Sequence, residues 1–200
     1  MNRKILVNLA ASALMTVVPS LAFAHTGIGH ASGFAHGFAH PLGGLDHVLA
    51  MVMVGLLAAQ LGGRALWLVP ASFVAVMALG GGLGLAGFGL PFVELGIALS
   101  IVVLGAAVAF GLTAPVAAAM GLVGFFAIFH GHAHGAEMPE TVGGLAYGSG
   151  FIAATALLHA AGLAGGLVLG RAAEAKGATL VKCLGGAASL AGVGILTGVL

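Results

Sequence analysis

Two stretches of this chain hold most of the side chains that could do chemistry. Residues 40–47 read HPLGGLDH, and residues 129–140 read FHGHAHGAEMPE. Together they supply His40, Asp46, His47, His130, His132, His134 and Glu137. The whole sequence has nine histidines against one cysteine, Cys183, so neither an intramolecular disulfide nor a thiolate cluster can form. Imidazole with carboxylate and no thiolate is a donor set for borderline divalent cations: nickel, cobalt, zinc or copper(II). Calcium and magnesium prefer all-oxygen sites and would leave the histidines unused.

Spacing narrows the arrangement. His47 and Met51 are four apart and share a helix face, which points inward if that face meets a bundle. Pro41 can begin a helical turn but disfavours helix for the residue before it, so His40 is expected at the entrance, ahead of the helix. His130 and His134 are one turn apart and Glu137 is three further on, so a continued helix would align all three. His132 would leave that face, and the glycines of the stretch could break the helix first. Glu94 follows Pro91 at the start of another apolar run, and His159 lies deep within a later one. For His159, a ligand and a packed core histidine bonded to a neighbouring helix are both open readings. Met51, Met53 and Met120 read as apolar filler, and Cys183 as a small buried hydrophobe.

The elements that must position these groups follow from composition. The chain has 200 residues, 60% hydrophobic and only 6% charged, whereas a soluble domain carries roughly a quarter charged residues. Such a surface cannot face water all round, so the fold class is an all-α integral membrane protein with the lipid bilayer as its partner. No basic stripe suggests nucleic acid. Residues 1–24 read as a cleaved signal peptide: Arg3 and Lys4, then an apolar core, then small residues at Ala22 and Ala24. An uncleaved first helix is the alternative. Cleavage would leave His25 at the mature N-terminus of a His-rich periplasmic tail, residues 25–41. The amine and imidazole of His25 could then chelate metal together; a flexible polar tail is the other reading.

Residues 42–200 are expected to form six transmembrane helices, at 43–62, 65–85, 91–112, 114–131, 143–169 and 178–199. Each is near the roughly 20 residues that cross a bilayer. With residue 25 outside, Arg64, Arg171, Lys176 and Lys182 all fall on the cytoplasmic side, and the outer loops carry no Lys or Arg. That places the chain in a bacterial inner membrane. The pairs Gly80/Gly84 and Gly144/Gly148 and the series Gly162/Gly166/Gly170 should let helix backbones approach closely, and such faces could also mate two copies.

This topology gathers Asp46, Glu94, Glu137 and the histidines in the outer half of the bundle. Ionisable groups inside a membrane are costly and tend to line a pathway or pair with one another. Asp46 has no Lys or Arg on its side, so a bound cation is its simplest partner. At these residues the chain resembles the HupE/UreJ family of bacterial nickel and cobalt permeases, associated with maturation of [NiFe] hydrogenase and urease. The likeness covers essentially the whole mature chain and rests on HPLGGLDH and FHGHAHGAE in that order. It implies that His40, Asp46, His47, His130 and Glu137 belong to a metal pathway, with Ni2+ or Co2+ as cargo and no tightly bound cofactor.

The expected function is therefore a passive or secondary permease and not an enzyme. The sequence has no GxxxxGK[ST] phosphate loop, and it does not need one for inward movement. A divalent ion gains about 4.6 kcal/mol crossing 100 mV inward. Two rivals carry the same residues: an intramembrane zinc hydrolase with Glu137 or Glu94 as general base, and a metal-sensing subunit without flux.

Overall fold

The computed structural model describes residues 30–139, 143–172 and 174–200. The expected leader and His25 lie outside them. Seven helices run through the described residues, with no strand among these: α1 (His30–Gly43), α2 (Leu45–Leu61), α3 (Ala65–Leu85), α4 (Val93–Phe110), α5 (Val116–Ala136), α6 (Gly144–Ala172) and α7 (Glu174–Leu196). Each of α3 to α7 contains a stretch long and apolar enough to cross a bilayer. Helices α1 and α2 reach that length and apolarity together, bent by 84° at their break. The chain is a multi-pass membrane protein.

Glycine and proline punctuate the helices where the sequence placed breaks. Gly62 and Gly63 take positive φ (68° and 53°) to end α2, and Pro115 caps the start of α5. The main pairings are α3 with α5, α4 with α7, and α2 with α6. Helix α2 is the central element: Ala50, Met51, Val54, Leu57 and Ala58 have no exposure at all. Large apolar side chains such as Trp67, Leu79, Phe110 and Leu145 point outward, where lipid rather than water suits them.

Four expectations change. Helix α5 does not stop at residue 131 but continues to Ala136. Its glycines bind it to α3 instead of breaking it, because a Cβ at Gly131 would collide with the Met77 carbonyl and one at Gly135 with the Gly81 carbonyl. Residues 30–41, expected within a His-rich tail, belong to a helix that runs to Gly43, and His40 is helical even though Pro41 follows it. Tertiary packing overrides the local preference here: Gly33 lies against Ala146 and Gly37 against the Tyr147 carbonyl, holding α1 on α6. The small-residue faces are correct for Gly80/Gly84 against α5 and Gly162/Gly166 against α2, but Gly148 and Gly170 face open space. Cys183 is exposed on α7 rather than buried.

Candidate metal site

The break between α1 and α2 explains the DH pair. Gly44 caps α2 in extended conformation (φ −100°, ψ 120°), and a Cβ there would lie 2.6 Å from Asp46 Oδ1. Only glycine leaves the carboxylate room to fold back. Asp46 Oδ1 accepts the backbone N–H of His47 at 2.8 Å and lies 2.9 Å from His47 Nδ1. A carboxylate in the first turn also meets the positive end of the helix dipole. The sequence left Asp46 with a bound cation as its simplest partner; the fold gives it His47, so Asp46 orients an imidazole. An ionised carboxylate can only accept, so Nδ1 carries the proton and the buried Nε2 keeps a free lone pair, unpartnered among the described residues.

The same reasoning fixes His130 on α5. Ser100 Oγ donates to the Ile97 carbonyl at 2.6 Å, so its oxygen must accept from His130 Nε2 at 2.9 Å. The Nδ1 lone pair of His130 is then buried and free. His47 stands edge-on to His130 at 4.9 Å between ring centroids and 4.4 Å from His134. His134 has no hydrogen-bond partner at either nitrogen among the described residues.

His40, His134 and Glu137 form the most compact ligand group, with one donor atom from each lying within 4.8 Å of the others. His40 Nε2 is 3.3 Å from Glu137 Oε2, and both side chains are exposed. Glu137 caps the C-terminal end of α5, where the helix dipole disfavours a carboxylate. A cation at this point would offset both charges. A pocket of about 500 Å3 beside the group is lined by His40, Asp46, His47, Glu94 and Glu137, with Ala39, Ile97 and Ala133 among its apolar residues. Glu94 sits in the first turn of α4, two residues after Phe92, whose left-handed backbone (φ 59°) caps that helix.

Of the sequence candidates, six therefore converge with Glu94 at one end of the bundle: His40, Asp46, His47, His130, His134 and Glu137. His132 does not join them. It leaves their face, as its spacing requires, and its Nε2 donates to the Phe88 carbonyl at 2.6 Å, tying the α3–α4 connection to α5. His159 lies elsewhere, against Phe73. Sequence reasoning missed Ser100 and Tyr147. Ser100 is the lone hydroxyl in the apolar run 91–112, and Tyr147 is the chain's single tyrosine, buried with its hydroxyl unpartnered among the described residues. Both were legible as isolated polar groups in apolar surroundings.

Fold and site together define a multi-pass helical membrane protein whose bundle ends in a pocket of imidazole and carboxylate donors. The chain belongs to the HupE/UreJ family: the family model described as HupE / UreJ protein matches residues 13–195. It is 48% identical over 195 residues to Protein HupE of Rhizobium leguminosarum bv. viciae, an alignment covering 98% of each chain. No solved structure matches the chain.

Proposed function

We propose that this protein is an inner-membrane permease for a borderline divalent metal, nickel first and cobalt second, and that it catalyses no reaction of its own. The observation that carries the reading is the gathering of His40, Asp46, His47, Glu94 and Glu137 around one pocket, with the unpartnered nitrogens of His130 and His134 directly beside His47. Neutral imidazole is the form that binds metal, and the tautomers of His47 and His130 leave one ring nitrogen of each free to do so. Membership of the HupE/UreJ family supports transport over hydrolysis, and service to [NiFe] hydrogenase or urease maturation is part of the same reading.

Counting α1 and α2 as one broken crossing gives six crossings, with the pocket on the periplasmic side and a signal peptide removed ahead of residue 25. His40, His134 and Glu137 capture the ion and replace part of its water shell. His47, with its ring held by Asp46, and His130 then receive it below. The membrane potential supplies the driving force. Radiolabelled nickel uptake into liposomes carrying the purified chain tests the proposal, with an inside-negative potential imposed. Accumulation above protein-free liposomes is expected; no accumulation, together with zinc-dependent lipid turnover, would favour the hydrolase instead.

A further inference from the structure

One face of α6 leads away from this pocket. Tyr147, Phe151, Thr155 and His159 are spaced four apart, and all four are buried. At the upper end the His134 ring lies 3.8 Å from that of Phe151. A cavity of about 170 Å3 there is lined by His134, Tyr147, Phe151 and Met77 among others. One turn further in, Thr155 Oγ1 donates to Met77 Sδ at 3.7 Å. Phe73 then stands between two histidines, with ring centroids 5.6 Å from His130 and 5.1 Å from His159.

His159 itself is only 2% exposed, and neither ring nitrogen has a partner among the described residues. A histidine kept for packing normally spends its N–H on a carbonyl, as His132 does on Phe88. His159 does not, although it borders a separate pocket of about 480 Å3 between α3 and α6. An orphaned imidazole at membrane depth is costly unless something binds it.

We propose that His159 is a second, deeper metal-receiving site, reached from His134 along the Tyr147–Thr155 face of α6. The inference rests on the permease reading and extends it inward. The Tyr147 and Thr155 hydroxyls and the Met77 thioether are the donors along that step, able to hold a partly dehydrated ion in transit. Phe73 and Met77 separate the two sites, so metal held by the outer group does not touch His159 directly. One imidazole with apolar neighbours binds more weakly than the outer pocket, which suits release toward the cytoplasm.

The test uses the full chain, purified for binding and reconstituted in liposomes for transport, with nickel and cobalt as probes. His159→Ala should bind nickel at the outer pocket as the wild type does yet transport it about tenfold more slowly or worse. Thr155→Val should lose about fivefold, the worth of one buried hydrogen-bonding group. His159→Cys in a Cys183→Ser background supplies a direct readout: bound cobalt should give a thiolate-to-cobalt charge-transfer absorption. Wild-type transport by His159→Ala, or no thiolate band, overturns the proposal. If His159→Ala loses outer binding as well, the band decides between a metal site and a purely structural histidine. If the wild-type chain carries no metal, the permease reading falls, and the band still reports whether metal reaches position 159.

Discussion

The two ends of this bundle are built from the same helices and filled differently. At the Gly44 end the interior holds His47, His130 and His134, with His40, Asp46, Glu94 and Glu137 around the pocket mouth. At the opposite end, a cavity of about 170 Å3 between α2, α6 and α7 is lined by apolar and small residues, with Gln60 and Lys182 as its polar groups. Gln60 Nε2 donates to the Val108 carbonyl at 3.1 Å, which leaves the buried Gln60 Oε1 unpartnered among the described residues. One end is rich in lone pairs that can bind a cation; the other offers a single amide oxygen beside an ammonium group that would repel it. A pathway with strong donors at both ends would trap its ion, so the asymmetry itself suits one-way delivery.

The comparison breaks outright if the ends are assigned to the wrong sides. Reporter tags at residue 175 should read as cytoplasmic, and tags near residue 138 or at the C-terminus as periplasmic. A cytoplasmic C-terminus would remove one crossing and with it the outer position of the pocket.

Substitutions at the donor-rich end should have the next largest effect. Asp46→Asn, His47→Ala, His130→Ala and Glu137→Gln should each reduce nickel uptake by about tenfold or more with protein levels near normal. Nickel added in excess should not restore it, because the missing ligand lies in the path itself. Restoration by excess metal would move these residues from pathway to capture.

His132 sharpens the contrast between a binding and a structural imidazole. His132→Ala leaves the Phe88 carbonyl without its donor and should cost about 1–3 kcal/mol of stability, read as a lower melting temperature. Transport per folded molecule should stay close to wild type, and His132→Asn should recover part of the stability. Loss of transport without loss of stability would place His132 among the ligands. The smallest effect is expected from replacing His25, His30 and His36 together. Uptake should fall only at scarce nickel and recover when nickel is plentiful, because these residues precede the pocket and only raise local metal concentration.

Membrane class, the all-helical build and the rough positions of the apolar helices were legible in the sequence, as were the imidazole and carboxylate groups that the fold gathers at one end. They depend on composition, on runs of about 20 apolar residues and on the rarity of charge, all of which are local properties. The 3.6-residue period also separated His132 from His130 and His134, and the structure keeps that separation. Tertiary contact decided the rest. Whether glycines at 131 and 135 end a helix or weld it to a neighbour depends on a carbonyl of α3 that sequence order does not bring near. The helicity of residues 30–43 depends on packing against α6, which outweighs the local effect of Pro41. The free nitrogen of each histidine was set by a partner one residue away for His47 and thirty away for His130, so only the fold could assign the second.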